Sequence, residues 1–184
     1  MNHSKKYHYS AGSPLEPGMT DNLKLYTIGY EGVYFEEFIA FIGMYGLAHI
    51  IDVRAVPFSR RVGFNGSELS VNLPKYGFRY THLPALGNTN AGRNYAKLEK
   101  WDKMRQEVEA KLETTEAKAA LGWLGRTYTI APTALMGYEQ NPAKCHRTIV
   151  AEKLVGPDNV VPLPMCTTFE RKGQEKKRKE AMKK

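Results

Sequence analysis

The stretch Asn141-Pro142-Ala143-Lys144-Cys145-His146-Arg147 sets a thiol, an imidazole and a guanidinium side by side, shortly after Glu139. Asn suits the residue that caps a helix and Pro its first turn, so the spacing predicts a helix from Ala143 to Leu154, with Cys145 in or just beyond the opening turn. Unpaired backbone N–H groups there favour an anion, and Lys144, His146 and Arg147 would draw the thiol pKa down. That gives a reactive thiolate or an anion cradle. The same residue types also suit a small packing thiol beside an ordinary helix cap. Cys145 and His146 are the first catalytic candidates, and Arg147 is a candidate anion binder.

A second constellation runs from Asp52 to Arg61. Asp52 closes an apolar run, and Arg54, Arg60 and Arg61 follow it. Arginines in a loop hold phosphate or carboxylate through paired N–H groups, and Asp52 beside them either orients an arginine or acts as a base. A purely structural Asp52–Arg54 pair is the alternative. Phe58 and Phe64 among these cations make an aromatic-basic pattern on which a nucleobase could stack. Glu139 follows a later apolar run and Tyr30-Glu31 an earlier one, so either acid could join the same cleft or be solvated loop charge. Gly29 and Tyr30 at that first opening are anion-binding candidates. His82 is either an acid or base titrating near neutral pH, bound to the same anion, or a residue that caps a strand.

The elements that would carry these residues alternate in type. Lys24–Gly29 reads as a strand, followed by an amphipathic helix with Phe35, Phe38, Ile39 and Ile42 on one face and Gly46 at its end. Residues 48–53 form an apolar strand that delivers Asp52 at its carboxyl end. One or two helical turns are expected in 68–76, a third strand over 78–82, and a loop over 86–92. Helices are expected at 95–112, with Leu98, Trp101, Val108 and Leu112 inward, and at 115–125, with Ala117, Ala120, Leu121 and Leu124 inward. A further strand covers 133–138. The pattern is an α/β fold, a mainly parallel sheet of four to six strands with helices on its faces, and such sheets bind ligands at the carboxyl ends of their strands. Gly29, Asp52, His82 and Glu139 stand at or just past such ends.

The 184 residues suit a single α/β domain over 23–169, with a flexible leader at 1–22, where Met19 offers an alternative start, and a basic mobile tail at 170–184. The tail carries +5 of the net +8 charge. Cys145 and Cys166 show no paired spacing, which argues against a disulfide scaffold or a structural zinc site, and Cys166 reads as structural. No metal or cofactor is expected. No segment reads as a signal peptide or membrane span, so the expectation is a cytoplasmic protein with no membrane partner.

Taken together, the motifs Thr27-Ile28-Gly29, Asp52-Val53-Arg54 with Pro57 and Ser59-Arg60, His82-Leu83-Pro84 with Leu86-Gly87, and Glu139-Gln140-Asn141-Pro142-Ala143-Lys144-Cys145-His146-Arg147 resemble a bacterial and archaeal family, Domain of Unknown Function 488. The resemblance spans about residues 23–165. Many members carry a cysteine two residues before the glutamate; here Gly137 stands there, so a two-cysteine redox or metal mechanism is not implied. The resemblance favours a functional Cys-His-Arg cluster and names no reaction. Ile51-Asp52-Val53-Arg54 is also similar to rhodanese-like sulfurtransferases, but those wrap their cysteine in a loop rather than at a helix start. A cysteine phosphatase needs Cys-x5-Arg, and Ala151 stands where that arginine belongs.

The residues favour an enzyme acting on a phosphate-bearing substrate, a nucleotide or nucleic acid. Arg54, Arg60 and Arg147 would hold the anion, Asp52 or Glu139 would be acid or base, and Cys145 would be nucleophile or polar lining. The alternative is a non-catalytic nucleic-acid-binding module whose tail and Arg60-Arg61 loop neutralise backbone phosphates. A structural polar network with a solubilising tail is the remaining possibility.

Overall fold

The computed structural model describes residues 24–165. Five strands form its sheet: β1 (Leu25–Gly29), β2 (His49–Asp52), β3 (Arg79–His82), β4 (Thr133–Gly137) and β5 (Val160–Leu163). All pairings are parallel and the order is β3-β2-β4-β1-β5. Successive strand side chains point to opposite faces, so an apolar run must be covered on both sides. Ile28, Ile50 and Met136 meet α1 (Phe35–Met44) and α2 (Gly66–Lys75) on one face. Leu25, Ile51 and Leu135 meet α4 (Trp101–Leu112), α5 (Thr115–Tyr128) and α6 (His146–Val155) on the other. The expected α/β parallel sheet is therefore present, flanked by helices on both faces.

The first βαβ unit follows its sequence pattern closely. Phe38, Ile39 and Ile42 are the buried face of α1, and Gly46 ends the turn after it with a φ of 62°, a conformation that glycine adopts without strain. Elsewhere the boundaries move. The helix expected over 95–112 is two helices, α3 (Asn90–Lys97) and α4, because Glu99 takes a φ of 55° and turns the chain between them. Leu98, expected inward, lies at that break and is 63% exposed. Helix α3 also occupies the second half of the loop expected at 86–92, starting where Thr89 Oγ1 accepts the N–H of Gly92 at 2.9 Å. Helix α5 runs three residues past its expected end, and α2 is a full ten-residue helix whose cap, Asn65, donates its N–H to Glu68. Strand β5 was not expected. It carries Pro162, which an edge strand paired only with β1 accommodates.

The connection after β1 leads away on one side of the sheet to β2, whereas the connection after the adjacent β4 leads through α6 to β5 on the other side. Such a reversal opens a crevice at the carboxyl ends of the two strands. Tyr30-Glu31 and Tyr138-Glu139 emerge there, next to the end of β2. Among the described residues no helix is long and apolar enough to cross a membrane. The leader at 1–22, Met19, Cys166 and the tail at 170–184 lie outside the described residues.

Candidate functional site

At the end of β2, Asp52 is fully buried and has no free lone pair for a substrate. Its Oδ1 accepts from Arg54 Nε at 2.8 Å and from the Arg54 backbone N–H at 3.0 Å. Its Oδ2 accepts from Arg54 Nη2 at 2.6 Å and from the Tyr80 hydroxyl at 2.8 Å. Arg54 in turn donates to the Tyr30 hydroxyl at 2.5 Å and the Phe64 carbonyl at 3.0 Å. Burial opposes the charge on Arg54, but the hydrogen bonds and charge of Asp52 outweigh it and raise the guanidinium pKa. Burial, followed by the charge of Asp52, also raises the Tyr80 pKa. The pair is thus an oriented, tightly satisfied knot, with Asp52 in the structural role rather than that of a base.

The Cys145-His146-Arg147 cluster begins at an extended residue rather than inside a helix. Pro142–Lys144 form a single 3-10 turn capped by Asn141 Oδ1, and Cys145 then becomes the residue that precedes α6. Cys145 is only 2% exposed, and burial, reinforced by the charge of Glu139, pushes the thiol up to about 12. The expected depressed thiolate is therefore reversed: desolvation outweighs the nearby cations. Gly137 makes room for the sulfur, since a Cβ there would lie 2.6 Å from Cys145 Sγ.

His146 points the other way along the same floor. Its Nε2 is 2.8 Å from the Val53 carbonyl, which can only accept, so Nε2 carries the proton. The lone pair on Nδ1 then faces Cys145 Sγ at 3.8 Å. Burial chiefly lowers the His146 pKa and keeps the ring neutral. Arg147, expected to bind an anion, is 1% exposed and donates to the carbonyls of Glu139 and Gln140 at 2.5 and 3.2 Å. It shapes the loop after β4.

Above this floor opens a cleft of about 870 Å³. Its cations are Arg54, Arg60, Arg61, Arg93, Lys97 and Lys144, against the carboxylates of Glu31 and Glu139. Its aromatic walls include Tyr30, Phe58, Trp101 and Tyr138, and Lys144 Nζ stands 5.3 Å from the centre of the Trp101 ring.

The structure gathers Tyr30, Arg54, Arg60, Glu139 and His146 at this cleft and places Cys145 directly behind it. Gly29 lies under the loop after β4, where a Cβ would come 1.9 Å from the Glu139 carbonyl oxygen. His82 is held away, with Nε2 2.8 Å from the Arg54 carbonyl. Of the two phenylalanines, Phe58 is 69% exposed at the cleft, but Phe64 is buried and stacks on Tyr30 at 4.3 Å. Arg93, Lys97 and Trp101 were missed. Arg93 and Lys97 are four residues apart on α3, a same-face spacing that the sequence displays only once α3 is separated from α4.

A family model described as Domain of unknown function DUF488 matches residues 35–154, from the start of α1 to the last turn of α6. Comparisons with curated proteins and with solved structures give no match.

Proposed function

Because the chain belongs to the family Domain of unknown function DUF488, whose description carries no reaction, we propose from the cleft itself that the protein is an enzyme acting on a phosphate-bearing substrate, a nucleotide or short nucleic-acid segment. The observation that carries this reading is the charge and shape of the cleft. Six cationic side chains face two carboxylates in a space of about 870 Å³, within the range of roughly 300–1,000 Å³ that small-molecule sites occupy. Arg54 is committed to Asp52, so the phosphate contacts fall to Arg60, Arg61, Arg93, Lys97 and Lys144. Trp101 and Phe58 supply faces for a base.

The reactive centre in this reading is Glu139 with His146. Glu139 is half-buried at the cleft wall, and neutral His146 offers an Nδ1 lone pair beside it. A carboxylate and an imidazole so placed can take a proton from water or a hydroxyl attacking the bound group. Cys145 is too deeply buried to be the attacking group and stands behind the cleft wall.

A panel of nucleoside phosphates and short oligonucleotides, followed chromatographically for product, tests the reading. Turnover of at least one member is expected, with kcat lowered about 100-fold or more by Glu139→Gln and little change in substrate affinity. Saturable binding without product from any member would replace the enzyme by the non-catalytic binding module.

A further inference from the structure

We propose that Glu139, Cys145 and His146 form a binding site for a zinc-like divalent metal ion, with one coordination position open to the cleft. The carboxylate oxygen, Sγ and imidazole nitrogen of these residues all lie within 4.8 Å of one another. The 3.8 Å between Cys145 Sγ and His146 Nδ1 is close to the span of a sulfur and a nitrogen on one tetrahedral zinc ion, bonded at about 2.3 and about 2.0–2.1 Å.

Three independent features prepare the ligands. The Val53 carbonyl fixes the tautomer of His146, leaving Nδ1 as the lone-pair nitrogen aimed at the sulfur. This is the outer-sphere arrangement that orients a metal-binding histidine. Gly137 clears the space that the sulfur occupies. Arg147 pins the carbonyls of Glu139 and Gln140 and so sets the loop from which the carboxylate projects.

The charges also balance. Binding replaces the thiol proton of Cys145, which leaves to solvent, and the ion then sits with one thiolate, one carboxylate and one neutral imidazole. The first coordination sphere is neutral overall, which suits a poorly hydrated floor. A mixed sulfur, nitrogen and oxygen set favours zinc over magnesium or calcium, which prefer oxygen alone. Glu139 and His146 line the cleft whereas Cys145 lies behind it, so the fourth position faces the cleft. Three protein ligands with one open position is the arrangement of catalytic rather than structural zinc, and a bound ion would take over the activation of water from Glu139 and His146, whose lone pairs would then serve as ligands rather than as proton acceptors. Adjacent Cys145-His146 and the preceding Glu139 lack the paired spacing of common zinc motifs, which is why composition and spacing did not disclose the site.

Titration of the chelator-treated full chain with cobalt(II), in the absence of any nucleotide, tests the site. The expected result is a thiolate-to-cobalt charge-transfer band and tetrahedral visible bands that saturate at one equivalent and disappear on adding zinc. Cys145→Ser removes the charge-transfer band, Cys166→Ala retains it, and His146→Gln weakens cobalt binding by more than the roughly 10- to 100-fold that loss of an outer partner costs. Folded wild-type protein that shows no such band at stoichiometric cobalt would overturn the proposal, as would a band that survives Cys145→Ser and is lost in Cys166→Ala. Neither result bears on phosphate binding, which has its own assay.

Discussion

Asp52 and Arg54 show how burial converts a catalytic-looking pair into an architectural one. The sequence pattern carried both readings; only Tyr80, brought in from β3, shows that the last acceptor position on the carboxylate is filled, while Tyr30 and the Phe64 carbonyl take up further donors of Arg54. Removing one partner of a buried pair leaves the other charge unpaired, so Asp52→Ala should cost about 3–5 kcal/mol of stability by urea denaturation. A loss under about 0.5 kcal/mol, the level of an ordinary surface change, would mean that Arg54 has another partner. His49 makes a separate prediction. Burial first, and Arg79 second, lower its pKa from 6.5 to about 4, so the unfolded chain takes up a proton there at higher pH than the folded chain does. Stability from His49 is complete above about pH 6.5 and is lost progressively as the pH falls towards about 4, by about 3 kcal/mol. The difference in melting temperature between wild type and His49→Gln should change across that window, and a pH-independent difference would contradict it.

Elements that are continuous, apolar and bounded by glycine were legible: β1, α1 and β2 follow directly from residue type and period. Where local signals compete, boundaries moved. Asn141-Pro142 does open a helical turn, but a 3-10 turn that ends before Cys145, because the sulfur, His146 and Arg147 must turn inward together. Strand β5 was hidden by Pro162 and by its shortness. The tight contact of β1 with the loop after β4 was not visible in either segment alone. It makes Gly29→Ala a sharp probe: a Cβ only 1.9 Å from the Glu139 carbonyl must displace backbone. A stability loss of more than about 2 kcal/mol is expected in thermal denaturation. Gly46→Ala, where nothing crowds the added carbon, should cost less, about 1 kcal/mol, through its positive φ alone. Equal costs at the two positions would show that the Gly29 contact is not constraining.

For the whole molecule, net charge was a poor guide to place. The tail at 170–184 holds most of the excess, yet the described residues concentrate cations around one cleft at the sheet's switch point. The location at strand ends was readable from the alternating elements, but the membership of Arg93, Lys97, Trp101 and Tyr138 depends on how α3 and the loop after β4 fold over that opening. If the cleft carries binding, affinity for a phosphate ligand should fall as salt rises, and removing residues 170–184 should leave most of it intact. Binding that vanishes with the tail would move the site out of the cleft. Trp101 gives the most direct measurement, since it lies in the cleft wall and the chain's other tryptophan, Trp123, can be replaced. In a Trp123→Phe background, nucleotides and short oligonucleotides should change Trp101 fluorescence saturably. Arg60→Ala and Lys144→Ala should each weaken binding about fivefold to tenfold, equivalent to about 1–1.4 kcal/mol. No saturable change with any phosphate ligand at low salt, or affinities indifferent to both substitutions, would contradict the assignment of the cleft as a phosphate-binding site.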